Sequence, residues 1–142
     1  MIKAKLGSFS VNVVGDTTGE QFTGDFQAKS FLSFRDVLQV DKYRRDLLGD
    51  KPEQASVRAV NQAEIFAQLW VRLAVTPAWW KDHANGLDLA DDNLIEDVFT
   101  KTVGVETAER EDLKKRGDVA LAKLKGIVDE DARAASEKSP AK

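Results

Sequence analysis

The spacing of apolar residues changes at Ser33, and that change bounds the architectures open to this chain. Before it, Phe9, Val11 and Val13 alternate with Ser10 and Asn12, and Phe22, Gly24 and Phe26 alternate with Thr23 and Asp25. A period of two gathers one set of side chains on one face of a strand. Between the two runs lies Gly15-Asp16-Thr17-Thr18-Gly19, a string of turn formers. The pattern predicts a β-hairpin over 8–28 with one apolar face. A lone hairpin is only marginally stable in water, so this one needs helices beneath it.

From Ser33 onward the period is helical. Ser33 is placed to cap a helix with Asp36 at its third position, and Phe34, Val37, Leu38, Val40, Tyr43, Leu47 and Leu48 follow at mostly helical steps until Gly49. Arg44 and Arg45 near that end suit the helix dipole. After the break at Asp50-Lys51-Pro52, a central helix is expected to start between Pro52 and Val57 and run to Val75, its stripe drawn by Ala59, Ala63, Phe66, Leu69, Trp70 and Leu73.

Thr76-Pro77 has the form of a cap followed by a first-turn proline, launching a short helix at Ala78-Trp79-Trp80-Lys81 before Asn85-Gly86 turns the chain. Leu87 and Leu89 are expected to return to the core. Asp91 and Asp92 mark a further helix start, with Leu94, Ile95, Val98 and Phe99 on its apolar face and its end near Val103-Gly104. A last helix is predicted after Thr107, carrying Leu113, Ala120, Leu121, Leu124, Ile127 and Val128 on a narrow stripe with lysines and Arg116 around it.

The expected fold is therefore α+β and predominantly α-helical, an N-terminal β-hairpin packed on a bundle of about four to five helices. One domain is expected over 1–131, comprising the hairpin 8–28, a helical core 33–103 and an amphipathic C-terminal helix 107–130, with a flexible tail over 132–142.

Composition narrows the function classes. Zero cysteines exclude disulfides, thiolate catalysis and cysteine-held metal, and fit a reducing compartment. A net charge of -3 gives no overall basic field, so nucleic acid is not an expected partner. No apolar run approaches the ~20 residues of a membrane span, and the start of the chain lacks a secretory leader, so neither membrane nor export is expected and the location is read as cytoplasmic.

The sole histidine, His83, has no second imidazole to share a metal and is read as a surface residue. The acids Asp88, Asp91, Asp92, Glu96 and Asp97 lack the ligand order and central glycine of a calcium loop. Gly-rich phosphate loops and the nucleophile elbow are missing as well. No catalytic residue, cofactor or metal is expected. The most unusual local feature is the set Trp70, Trp79 and Trp80, because each buries a large area and carries an N–H that needs an acceptor.

In order along the chain, Phe22-Thr23-Gly24-Asp25-Phe26, Arg44-Arg45-Asp46-Leu47-Leu48-Gly49, Ala63-Glu64-Ile65-Phe66, and Pro77-Ala78-Trp79-Trp80 followed by Asn85-Gly86-Leu87-Asp88-Leu89 resemble the tail assembly chaperones of long-tailed bacteriophages and prophages. The resemblance covers about residues 20–103. It implies a non-enzymatic, self-associating protein of the bacterial host cytoplasm. Such a protein coats the tape measure protein and keeps it soluble until tail tube protein polymerises around it. On that basis Phe66, Trp70, Trp79, Trp80 and Leu87 are the expected protein-binding anchors, lining a groove or setting its shape. Two other functions compete with this expectation. One is a structural phage part, a head-tail connector or tail terminator ring subunit. The other is a metal-dependent enzyme using Asp88 and Asp92.

Overall fold

The computed structural model describes residues 5–138. The chain divides into two units, Met1–Thr107 and Ala108–Lys142, at the point where the last amphipathic stretch was expected to begin. The fold is α+β and mostly helical.

In the first unit, strands β1 (Leu6–Val14) and β2 (Gln21–Lys29) form the expected hairpin. Its register pairs Phe9 with Phe26, Val11 with Gly24 and Val13 with Phe22, so the alternating apolar residues share one face. Phe9 and Phe26 stack with ring centres 5.2 Å apart. The hairpin is not two-stranded, however. The expected last residues of the central helix, Leu73–Val75, form β3, which pairs antiparallel with β2 through Gln27 and Ala28 and covers its edge. A β-branched or aliphatic run serves a helix or a strand equally well, and here the unpaired edge of β2 decides.

Helix α1 (Phe34–Leu48) starts at the anticipated capping box: the Asp36 amide donates to Ser33 Oγ at 3.1 Å, and the Ser33 amide donates to the Asp36 carboxylate at 3.0 Å. Gly49 closes it with φ of 78°, a backbone angle that favours glycine. A short 3₁₀ turn at Pro52–Gln54 leads into α2 (Val57–Arg72), capped by Ser56 Oγ. Helix α3 (Ala78–Asp82) begins one residue later than expected. Because β3 keeps the chain extended through Val75, Pro77 rather than Thr76 occupies the cap position, with no side-chain bond.

Helix α4 (Asp92–Lys138) replaces two expected helices. A break was expected at Val103-Gly104, yet the helix continues. An interior glycine costs only about 1 kcal/mol relative to alanine. Burial on both sides outweighs that cost: Val98 and Thr102 are buried, and Val105 fills the space beside Gly7. The backbone remains helical through Lys138, so the tail expected from Ala132 begins as helix, and its residues 139–142 lie outside the described residues. Four α-helices thus stand among the described residues.

Two apolar clusters hold the first unit together. Val11, Phe22, Phe26, Leu69, Trp80, Leu94 and Val98 join the sheet to α2, α3 and the start of α4. Val40, Ala67 and Val71, with Leu32 and Tyr43 against them, join α1 to α2. Where α2 meets α4, Arg72 is buried and its Nη1 lies 3.3 Å from the Glu106 carboxylate, while its Nε donates to Gln68 at 2.8 Å.

Candidate functional site

The five candidate anchors fall in four places. Trp80 is in the core, 1% exposed, with its ring edge-on to Phe26 and Trp79. Trp79 is half-buried over the hairpin, where its indole N–H donates to the Thr23 carbonyl at 2.9 Å and its ring meets Phe22 and Phe26. Adjacent residues on a helix point in different directions, and this pair divides its contacts accordingly. Trp70 donates its indole N–H to the Asn85 carbonyl at 3.0 Å and meets Tyr43 edge-on. All three indoles contribute to the fold: the Trp70 N–H fastens the 84–86 turn and the Trp79 N–H fastens α3 to β2.

Phe66 and Leu87 come together with residues that sequence spacing did not unite. They line an open groove of about 710 Å³ between α2, the 87–91 segment and the first turns of α4, with Leu47 of α1 at one end. Ala59 and Ala63, one turn apart, make its shallow side, and Ile95 and Phe99 make the opposite wall. Small residues on one wall and branched or aromatic ones on the other give a trough instead of a flat face. Leu87 is 43% exposed although apolar.

The lip is charged. Arg58 and Asp92 approach across it at 3.7 Å, and Glu96 lies one turn further along α4. Both partners of the Arg58 pair are largely exposed, so the pair opens at little cost.

The turn at 84–86 shapes this site. Ala84, Asn85 and Gly86 all have positive φ, and Gly86 lies against both the Trp80 ring and Phe66. A Cβ on Gly86 would stand 2.6 Å from Trp80 Cη2. The buried indole therefore sets the height of the turn that presents Leu87. Trp70, Trp80 and Leu87 also line a second depression of about 510 Å³ on the other side of that turn, with Tyr43 and Leu73.

Asp91 has a role that the sequence did not reveal. Its main-chain carbonyl accepts from the amides of Leu94 and Ile95, as helix entry requires. Its carboxylate turns away to the hairpin loop, accepting from the Thr17 amide at 2.7 Å, the Thr18 amide at 2.8 Å and the Thr18 hydroxyl at 2.8 Å. Asn93 adds two bonds to the same loop, accepting from the Asp16 amide and donating to the Val14 carbonyl. The Thr18 amide is the main reason the Asp91 carboxyl is held below the usual carboxylate range. Burial opposes it, and the Thr18 hydroxyl and Thr17 amide reinforce it. Gly15 permits the approach, since a Cβ there would stand 2.3 Å from the Asp91 carboxyl carbon. Asp91 thus fixes one end of the groove to the sheet.

Neither Asp88 nor Asp92 belongs to a cluster of ligands: among the described residues no group of three or more His, Asp or Glu side chains is placed to hold a metal ion. His83 is half-buried, and its Nδ1 donates to the Trp79 carbonyl at 2.7 Å, which fixes the proton on that nitrogen. Among the described residues no helix is long and apolar enough to cross a membrane.

One apolar surface was missed. On α1, Val40 is buried and Tyr43 and Leu47 are half-buried, while Phe34 is 93% exposed beside exposed Val37 and Leu38. Helical spacing placed these residues on the helix but could not separate its inner from its outer apolar positions, because both sets follow steps of three and four.

Comparison with protein-family models, with curated proteins and with solved structures finds no match for this chain.

Proposed function

We propose that this protein is a non-enzymatic binding protein that receives an amphipathic helix of another protein in the groove between α2, the 87–91 segment and α4. The observation that carries the reading is the open trough in which Phe66 and the exposed Leu87 face Ile95 and Phe99 across Ala59 and Ala63. A helix laid there buries its apolar stripe against these side chains and leaves its polar side to the charged lip. Hot-spot energy in such interfaces concentrates in a few central apolar anchors. Leu87 and Phe66 hold that position, and Trp80, beneath Gly86, positions them.

The resemblance to phage tail assembly chaperones supplies the occupant: a helical segment of the tape measure protein, sheltered in the host cytoplasm until tail tube protein replaces the chaperone. Many copies of a weak groove along one long helix hold it by avidity and still release it. Self-association of the chain belongs to the same reading.

Co-expression tests the reading. A tape measure fragment that is insoluble alone is expected to become soluble beside this protein, and Leu87→Asp is expected to reduce the rescue while keeping the helical circular dichroism signal and lowering the melting temperature by only about 4 °C. A fragment that stays insoluble beside the intact protein removes the proposal. Purification as one closed ring of defined size, unaltered by the fragment, favours the connector or terminator instead.

A further inference from the structure

The second unit carries a surface that the groove does not use. In the described part of α4 beyond Ala108, Leu113, Gly117, Ala120 and Leu124 follow steps of four, three and four, the spacing of a coiled-coil seam, and Leu121 widens it. Leu113, Leu121 and Leu124 are 56%, 66% and 59% exposed. Isolated amphipathic helices gain most of their stability from a partner on the apolar side.

Charge restricts what that partner can be. Lys114 and Lys125 border one side of the seam, and Arg116 and Lys123 the other. Residues 113–126 hold five basic side chains and one acidic one, within a chain of net charge -3. Arg116 is answered by Asp112 at 3.0 Å, an exposed pair one turn back. Asp118 is the one acid between Leu113 and Leu124; it shares the Lys114 and Lys125 side, where the two lysines outnumber it, and the Arg116 and Lys123 side carries none. Two copies paired along this seam would set basic flank beside basic flank, and like charges at these positions oppose association. An acidic-flanked helix answers every one of them.

Seam composition separates a helix from a lipid surface. Gly117 and Ala120 bring little apolar area to a bilayer, whereas small residues in a seam let two helix backbones approach. The seam also lacks the aromatic side chains that anchor interfacial helices.

We propose that residues 113–124 dock an amphipathic helix of another protein whose apolar stripe is flanked by Asp and Glu. The site is separate from the groove, and its charge gives it a selectivity that an apolar trough lacks.

The test titrates the full-length protein against two labelled synthetic peptides, both with leucine at every seam position, one with glutamate and one with lysine at the flanks, read by fluorescence anisotropy. The glutamate peptide is expected to bind at least tenfold more tightly than the lysine peptide, and to weaken severalfold as salt shortens the screening length from ~30 to ~3 Å. Leu121→Asp with Leu124→Asp abolishes binding. The combined change Lys114→Glu, Arg116→Glu and Lys123→Glu reverses the preference toward the lysine peptide, a result no folding defect produces. Equal binding of both peptides, or none, overturns the proposal. So does self-association that Leu124→Asp dissolves, which would make a second copy the occupant. Tighter binding to phosphatidylglycerol vesicles or to a short DNA duplex than to the glutamate peptide overturns it as well.

Discussion

Replacing Trp80 by alanine removes the largest fully buried side chain among the described residues and tests the link between core and groove. The indole contacts Phe26 from the sheet, Trp79 from its own helix and Gly86 from the turn. Truncating a buried tryptophan to alanine costs about 3–5 kcal/mol, including the cavity left behind. The residues around Trp80 belong to the sheet, α2 and α4, which cannot all close on one void, so the loss should be about 4 kcal/mol. For a unit of this size, at about 4 °C per kcal/mol, the melting temperature falls by roughly 16 °C. Leu87→Ala, taken from a half-exposed position, should cost about 1 kcal/mol and about 4 °C. Thermal unfolding of the two variants by circular dichroism separates a residue that builds the groove from one that lines it. If the Trp80→Ala variant melts within about 4 °C of the parent, Trp80 does not set the height of the 84–86 turn and the account of the groove is wrong.

Four further outcomes follow from particular contacts. The Asp91 carboxyl is held below its ordinary range chiefly by the Thr18 amide, so its contribution to stability is full above about pH 4 and disappears as pH falls through the lower folded value. Chemical unfolding across that window should show Asp91→Asn losing this dependence, and an unchanged pH profile contradicts the assignment. Gly15→Ala should lower the melting temperature by driving a methyl group into the Asp91 carboxyl, whereas Gly19→Ala, where nothing lies within 4 Å, should be felt only through its positive φ. Glu106→Gln leaves Arg72 with its Gln68 bond but without its countercharge, and should cost about 2 kcal/mol in urea unfolding, below the range for fully buried pairs. Phe34→Ser should change stability by no more than about 0.5 kcal/mol, because its ring is almost wholly exposed.

Local rules were legible where local chemistry acts alone. Ser33 and Asp36 announced the start of α1, Gly49 its end, and the alternation of Phe22, Gly24 and Phe26 the inner face of β2. Leu73–Val75 could not be read as a strand, since what makes it one is the free edge of β2, more than forty residues away in sequence. Gly104 was read as a stop because glycine weakens a helix, but the packing of Thr102 and Val105 is invisible to propensity. Asp91 has the spelling of a helix cap and uses its carboxylate elsewhere, because two hairpin amides converge on it. The tryptophans were conspicuous as large side chains. The groove itself depends on Ala59 and Ala63 facing Ile95 and Phe99, a juxtaposition of ordinary residues that only the folded chain displays.

The central claim is that the groove accepts a helix, and amide hydrogen exchange with a soluble tape measure fragment tests it most directly. Slowed exchange confined to segments 59–66 and 87–99, lost when Leu87 is replaced by aspartate, is the predicted result. Binding that leaves those segments unchanged while protecting the outer face of α1 would place the partner elsewhere and contradict the account.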